Sequence, residues 1–159
     1  MSELRPQPNW KNPVHLLAFG LGSGAAPKAP GTAGTLAVIP LYLLISGLPS
    51  WGYMGIVLLM FVAGIWICER TSQDLGVHDH SGIVWDEWVG FLLALCSAPP
   101  GWWWILVAFV LFRFFDIVKP WPINLLDEKV GGGLGIMLDD MLAGVYAFAF
   151  LHLAARLLG

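Results

Sequence analysis

Two long stretches without a single charged residue constrain this chain more than any other feature of its sequence. The forty residues from Ala29 to Cys68 contain no Asp, Glu, Lys or Arg, and neither do the twenty-five from Trp88 to Phe112. About 20 apolar residues suffice for a helix to cross the hydrocarbon core of a bilayer. With 57% hydrophobic and only 12% charged residues, the chain is too apolar for a soluble domain of 159 residues. We therefore expect an integral membrane protein.

Proline and glycine divide the apolar sequence into an all-α bundle of about five transmembrane helices, because both residues interrupt helices or cap their ends. The short apolar segment from Val14 to Leu21 is too brief to span and is expected to be interfacial or re-entrant. Residues 1–13 form a polar tail without the apolar core of a signal peptide. No linker or repeat is visible, so residues 1–159 are expected to form one membrane-embedded domain. The predicted spans are Thr32–Ser46, Trp51–Cys68, Ile83–Ser97, Trp102–Val118 and Leu134–Leu158.

The distribution of charge predicts the orientation of these spans. If the N-terminus is inside, five crossings place every Lys and Arg except Arg156 on the cytoplasmic side, as the positive-inside rule requires. The same arrangement places all eleven Asp and Glu residues inside. Trp51 and Trp102 begin spans at the outer boundary, where indole rings favour the headgroup zone. We expect a polar site that faces the cytoplasm.

Five carboxylates lie within or at the ends of the predicted spans. A carboxylate near hydrocarbon is normally paired, coordinated or functional, and hard oxygen ligands suit Mg²⁺ or Mn²⁺. The helix dipole offers an alternative for the acids at helix N-termini. Asp116 lies at a C-terminal end instead, where an ion pair with Arg113 is the alternative to a role at the site. The five residues are Asp86, Glu87, Asp116, Asp139 and Asp140.

Two further segments carry polar groups beside the spans. The segment from Gly22 to Thr35 is rich in glycine and small hydroxyls and contains Lys28, which is typical of a phosphate cradle before a helix. It lacks the Gly-Lys-Ser/Thr ending of a P-loop, and an ordinary loop is the alternative. The sequence His78-Asp79-His80 can bind metal or move protons, and a solvated loop is again the alternative.

Taken in order, these segments resemble the bacterial phosphatidylglycerophosphatase A proteins. The resemblance covers residues 12 to 144, and its motifs are long and occur in order. Thr35 stands where we would expect Ser, and it keeps the hydroxyl. The matching stretches are Asn12–Leu17, Gly22–Gly24, Pro30–Thr32, His78–His80, Ile83–Glu87, Phe112–Ile117, Lys119–Ile123, Gly132–Asp140 and Ala143–Gly144.

The resemblance implies a Mg²⁺-dependent phosphatase of the bacterial inner (cytoplasmic) membrane. Such an enzyme converts phosphatidylglycerophosphate to phosphatidylglycerol and inorganic phosphate, a step toward cardiolipin. Its lipid substrate is made at the cytoplasmic leaflet, which is the side where the acids of this chain are expected. The membrane lipid is the expected partner, and no nucleic acid is.

We expect the site residues to fall into three groups. Asp86, Asp139, Asp140 and His80 are expected to be catalytic, with His80 as a proton donor to the leaving alkoxide. Mg²⁺ is expected to be bound by Asp79, Asp86, Glu87, Asp116, Asp139 and Asp140. Phosphate oxygens are expected to be held by Ser23, Gly24, Lys28, Thr32, Thr35, Arg113 and Lys119.

Two other classes of function are consistent with intramembrane acids. A divalent-cation or proton-coupled transporter also places carboxylates within its spans. Transport requires polar groups that reach both faces, whereas the outer halves of these predicted helices carry no acid. A lipid-binding scaffold would bind the lipid without metal-dependent turnover.

Overall fold

Helices provide all the regular structure that the described residues contain. The computed structural model describes residues 7–77 and 80–158, and no β-strand occurs within them. A 3₁₀ segment over Gly20–Ala25 follows the first helix. The helices are α1 Pro13–Ala18, α2 Pro30–Ala37, α3 Ile39–Ile45, α4 Ser50–Leu75, α5 Trp85–Ala94, α6 Trp102–Val118, α7 Ile123–Lys129 and α8 Gly132–Leu158.

Two of these helices, α4 and α8, are long and apolar enough to cross a membrane. They contain 26 and 27 residues, so each is about 40 Å long, more than the roughly 30 Å of a hydrocarbon core. The α6 helix has the predicted bounds at both ends. The all-α expectation is confirmed for the described residues, and two spans are supported; a total of five stays a prediction.

The predicted helix from Thr32 to Ser46 is wrong as a single element. It is interrupted at Val38, which ends α2 and precedes α3. Pro40 explains the break, because proline has no N–H to donate and its ring clashes with the carbonyl four residues earlier.

Other parts of the chain also differ from the prediction, most of all the end of α4, the length of α5 and the segment before α8. The α4 helix continues to Leu75 and ends at Gly76, whose left-handed φ of 70° caps it. The α5 helix covers only 10 residues, which is about 15 Å and too short to cross alone. The predicted loop from Trp121 to Gly133 contains α7.

Glycines allow α5 and α8 to cross with their backbones in contact. A Cβ atom on Gly90 would lie 2.6 Å from the carbonyl oxygen of Asp140, and one on Gly144 would lie 2.4 Å from the carbonyl oxygen of Gly90. Small residues permit this close approach in membrane helix pairs. The crossing brings the N-terminal turn of α5 beside the acidic turn of α8.

The α1 helix is fixed to the polar end of the bundle by His15, which is buried. Its Nδ1 accepts the backbone N–H of Asn9 at 3.0 Å, so Nε2 carries the hydrogen and donates to Asp74 Oδ2 at 2.9 Å. Asp74 lies near the end of α4. The N–H of Val84 donates to the carbonyl of Ala18 at 2.8 Å, which joins the end of α1 to the start of α5.

Candidate active site

Asp86 and Glu87 lie in the first turn of α5, where the helix dipole favours negative charge. Asp86 is buried, and its Oδ1 accepts the backbone N–H of Glu87 at 2.9 Å. The residues on either side hold this turn in place: the indole of Trp85 donates to a carbonyl on α4 at 3.0 Å, and that of Trp88 donates to a carbonyl on α2 at 2.7 Å. The two acids are thus positioned by helices on both sides.

Asp139 and Asp140 lie two turns into α8 and are only 4% and 2% exposed. Oδ1 of Asp139 accepts the backbone N–H of Asp140 at 2.8 Å. Among the described residues, Oδ2 of Asp140 is buried without a hydrogen-bond partner. A buried polar atom without a partner destabilises the folded state, so a ligand bound at this atom would remove the penalty.

Three carboxylates, those of Asp86, Glu87 and Asp140, converge between α5 and α8. One oxygen each from Asp86, Glu87 and Asp140 lies within 4.8 Å of the other two, and the charges of Asp116 and Asp139 also act on Asp140. Two unit charges 4.8 Å apart repel by about 3.5 kcal/mol at an effective dielectric constant of about 20. The cluster therefore needs protons or a cation. A donor set made only of carboxylate oxygens fits Mg²⁺.

Arg113 on α6 joins this cluster from the side. Its Nη1 lies 3.4 Å from Oε1 of Glu87 and also makes a close ion pair with Asp116. Its Nε is buried and has no hydrogen-bond partner among the residues described. The ion pair considered for Asp116 is therefore present, and it lies at the acid cluster. A guanidinium with an unused donor is suited to bind a phosphate oxygen.

Lys119 directly follows α6 and neutralises a second pair of acids. Its Nζ lies 3.1 Å from Oδ2 of Asp139 and 3.1 Å from Oδ1 of Asp127 on α7. Burial alone would lower the pKa of Lys119, but the two carboxylates, Asp139 foremost, raise the pKa above its ordinary value. Lys119 therefore carries a positive charge that fixes Asp139 in place.

The start of α2 forms another wall of the site. A Cβ atom on Gly31 would lie 2.9 Å from Oε1 of Glu87 and 3.0 Å from a guanidinium nitrogen of Arg113. Gly31 thus brings the backbone of the first turn of α2 against the acids, while the N–H groups of Thr32 and Ala33 donate to the carbonyl of Ala29 at 3.1 Å. Thr32 is the next residue and is partly exposed.

Sequence comparison adds the family to this geometry. Residues 16–155 match the family described as phosphatidylglycerophosphatase A. The chain belongs to the phosphatidylglycerophosphatase A family. The resemblance inferred from the motifs is therefore confirmed over nearly the whole chain.

The family includes relatives with high identity over most of their length. A phosphatidylglycerophosphatase A of Escherichia coli is 47% identical over 89% of this chain and 83% of the relative. Another from Haemophilus influenzae is 51% identical over 86% of this chain and 85% of the relative. A protein of Bacteroides thetaiotaomicron with the provisional name phosphatidylinositol-3-phosphatase is 40% identical over 91% of this chain and 94% of its own length. No solved structure matches the chain.

Most side chains of the segment predicted to hold phosphate make local contacts and do not reach the acid cluster. The Ser23 hydroxyl donates to a backbone carbonyl three residues earlier at 2.9 Å, and the buried Thr35 hydroxyl donates to a carbonyl one turn earlier at 2.7 Å. Gly24 packs so tightly that a Cβ atom would lie 1.9 Å from a neighbouring carbonyl oxygen. Lys28 is exposed, and Thr32 is partly exposed and directly follows Gly31.

His80 lies beside a cavity that adjoins the start of α2. Asp79, predicted as a metal ligand, lies outside the described residues. His80 is buried, its Nδ1 accepts the N–H of Gly82 at 2.9 Å, and its ring centroid lies 5.4 Å from that of Phe19. It lines a cavity of about 270 Å³ together with Pro30, and none of the described acids lines that cavity. His80 and Pro30 therefore line the same cavity, and Pro30 directly precedes Gly31 in the sequence.

Sequence analysis missed Asp127, which shares Lys119 with Asp139. The segment that contains it, from Trp121 to Gly133, was predicted to be a loop after the helix end at Lys119-Pro120. Pro122 before a short apolar run is a helix-start signal, and it would have predicted a helix that carries Asp127 back toward Lys119. The contact of Gly31 with Glu87 was also missed, since it depends on the packing of α2.

Proposed function

We propose that this chain hydrolyses the phosphomonoester of phosphatidylglycerophosphate and releases phosphatidylglycerol and inorganic phosphate. The family relatives provide the substrate class, because two of them bear the name of this activity. One observation supports the chemistry above all others: one carboxylate oxygen each of Asp86, Glu87 and Asp140 lies within 4.8 Å of the other two.

We assign Mg²⁺ binding to Asp86, Glu87 and Asp140, with Asp116 and Asp139 next to them. Bound there, Mg²⁺ would neutralise phosphoryl oxygens and acidify a bound water. Phosphoryl transfer depends on positioning and charge neutralisation more than on covalent chemistry. Asp79 remains an additional proposed ligand.

The cations of the site would orient the phosphate. Arg113 offers its unused Nε, and its guanidinium lies against Gly31 at the start of α2. Thr32 directly follows Gly31, and Lys28 lies on the exposed segment before α2; both are proposed to hold phosphate oxygens as well. Lys119 keeps Asp139 oriented and can donate to a phosphate oxygen through its third hydrogen. His80 remains the proposed proton donor, at the cavity that adjoins the start of α2.

We further propose a multi-pass arrangement of about five spans in the bacterial inner membrane, with the acids facing the cytoplasm. The positive-inside rule supports this orientation. Trp51 and Trp102, which begin α4 and α6 at the end away from the acids, are largely exposed, as residues of the outer headgroup zone would be.

The decisive experiment is phosphate release from phosphatidylglycerophosphate by the purified full chain in detergent, with Mg²⁺ and then with EDTA. We expect turnover that EDTA abolishes, and that Asp86→Asn abolishes without unfolding the protein. Phosphatidylinositol 3-phosphate is the comparison substrate, because one relative bears that provisional activity. Absence of turnover by folded protein on both lipids would contradict the proposal and favour transport, which a liposome flux assay would then measure.

A further inference from the structure

The guanidinium of Arg113 is bound by carboxylates at one of its three nitrogens. Nη1 lies 3.4 Å from Oε1 of Glu87 and forms a close ion pair with Asp116. Nε is buried and has no hydrogen-bond partner within the part of the chain that the structure describes. The N–H donors of arginine have a fixed planar arrangement, in which Nε–H and one N–H of Nη2 point to the same side. The two acids therefore do not occupy this side, which we call the Nε–Nη2 edge.

The backbone of Gly31, in the first turn of α2, packs against the same guanidinium. A Cβ atom on Gly31 would lie 3.0 Å from Nη2 and 3.1 Å from Nη1 of Arg113, and 2.9 Å from Oε1 of Glu87. Atoms in ordinary van der Waals contact are about 3.5 to 4.0 Å apart. The missing side chain thus allows the backbone of α2 to touch both partners of the ion pair.

The position of Gly31 is itself fixed, because α2 is joined to α5 three residues later. The indole Nε1 of Trp88 donates to the carbonyl of Gly34 at 2.7 Å, and both residues are buried. A Cβ atom on Gly34 would lie only 2.5 Å from Cβ of Val84, which directly precedes α5. The first turn of α2 is therefore held against the helix that carries Glu87.

We propose that Gly31 is a positioning residue that sets the orientation of the Arg113 guanidinium. In this orientation the Nε–Nη2 edge binds two oxygens of the substrate phosphomonoester, so the inference rests on the proposed function. Two acids and a helix backbone restrict the rotation of the guanidinium before any substrate binds. Bidentate contacts between arginine and phosphate require a defined plane, and the placement of reacting groups strongly affects the rate of a chemical step.

The substitution Gly31→Ala separates the orientation of Arg113 from the stability of the fold. The atoms that an alanine Cβ would meet are the terminal atoms of the Glu87 and Arg113 side chains, which can move by rotation about their own bonds. We therefore expect Gly31→Ala to keep its Tm within about 3 °C of wild type. The displaced guanidinium should lower kcat/KM by about tenfold. Wild-type kcat/KM would overturn the proposal.

Two other glycines provide matched controls for the same change. A Cβ atom on Gly55, on α4, would meet no neighbouring element of the described chain within 4 Å, so Gly55→Ala should match wild type in kcat/KM. A Cβ atom on Gly34 would meet Cβ of the buried Val84, which side-chain rotation cannot move. Gly34→Ala should therefore lower the Tm by about 5 °C or more. An equal loss of Tm in Gly31→Ala would overturn the proposal.

A double-mutant cycle with Arg113→Lys measures whether Gly31 acts through the guanidinium. Lysine keeps the positive charge but has no planar fork to orient. Gly31→Ala should lower kcat/KM about tenfold in the wild-type protein and less than about twofold in the Arg113→Lys background. The same tenfold loss in both backgrounds would overturn the proposal, because the effect would then arise from Glu87 or from the fold.

Inorganic phosphate tests the same contact without turnover. In the presence of Mg²⁺ it should raise the Tm of the wild-type protein, and Gly31→Ala should lose most of that shift whereas Gly55→Ala keeps it. No shift in wild type, or an equal shift in wild type and Gly31→Ala, would overturn the proposal. A shift that Gly31→Ala loses, in a wild-type protein that releases phosphate from neither lipid, would support the positioning role and contradict the proposed phosphatase activity.

Discussion

Replacing Asp140 by Asn removes one negative charge from the acid cluster and hardly changes the size of the side chain. An oxygen of Asp140 lies within 4.8 Å of both Asp86 and Glu87. At an effective dielectric constant of about 20, these two pairs repel by about 7 kcal/mol together. Protons taken up by the metal-free cluster relieve most of this repulsion. We therefore expect Asp140→Asn to raise the free energy of unfolding in EDTA by about 1 to 2 kcal/mol.

The neighbouring residue provides a matched comparison with the opposite sign. Asp139→Asn is the same substitution in an equally buried position, but it removes the ion pair with Lys119. Because Lys119 keeps Asp127, the loss should be smaller than the roughly 3 to 5 kcal/mol of a fully buried pair. Adjacent Asp-to-Asn substitutions should thus change stability in opposite directions.

Thermal unfolding in detergent measures both effects. For a chain of this size, a gain of 1 to 2 kcal/mol corresponds to a Tm increase of about 2 to 8 °C. Mg²⁺ at a hundred times its Kd should stabilise the wild-type protein by about 2.7 kcal/mol, and Asp140→Asn should lose most of that response. A lower Tm for Asp140→Asn than for wild type in EDTA, or an unchanged response to Mg²⁺, would refute the electrostatic reasoning.

Three further substitutions test other parts of the site. Gly90→Ala places a Cβ atom 2.6 Å from the carbonyl oxygen of Asp140. It should therefore destabilise the protein by about 1 to 3 kcal/mol in thermal unfolding. An unchanged Tm would mean that α5 and α8 can move apart at this crossing at little cost in free energy. Thr35→Val should keep full phosphate release, because its hydroxyl bonds only within α2; a large loss of kcat would restore Thr35 to the site. Arg113→Lys should lower kcat/KM by about 10- to 100-fold despite the retained charge, since the planar fork is lost; steady-state kinetics with wild-type activity would show that charge alone is sufficient.

The sequence predicted helix bounds best where a Gly or Pro residue lies directly beside the end of the helix. Gly101 before α6 and Lys119-Pro120 after it delimit that helix, and the structure has the predicted bounds. Pro40 is equally local, yet its effect was underestimated, because an apolar run of this length usually indicates one span. The short α5 was predicted too long for a different reason: residues 95–97 are apolar or small, but the chain turns there and Ser97 has a left-handed φ of 55°.

The chemistry of the site was predictable from sequence, whereas the set of residues that form it depends on tertiary packing. Acids beside hydrocarbon indicate a functional site from sequence alone. Which of them converge depends on the contact between Gly90 and α8, and neither residue type nor spacing contains that information. The hydroxyls of Ser23 and Thr35 show the converse case: their composition suits phosphate, but their hydrogen bonds remain within the local backbone.

Under the proposed metal binding, the backbone contact between Gly90 and α8 would also influence which ion the cluster prefers. Mg²⁺ takes oxygen ligands at about 2.0 to 2.1 Å in strict octahedral geometry, while Ca²⁺ accepts about 2.3 to 2.6 Å and more ligands. Because one helix carries Asp86 and Glu87 and the other carries Asp140, the separation of the two helix axes sets the size of the cavity between the oxygens. Gly90 and Gly144 would then set the size of the cation that the cluster accepts, and we expect a methyl group added at either position to favour the larger cation.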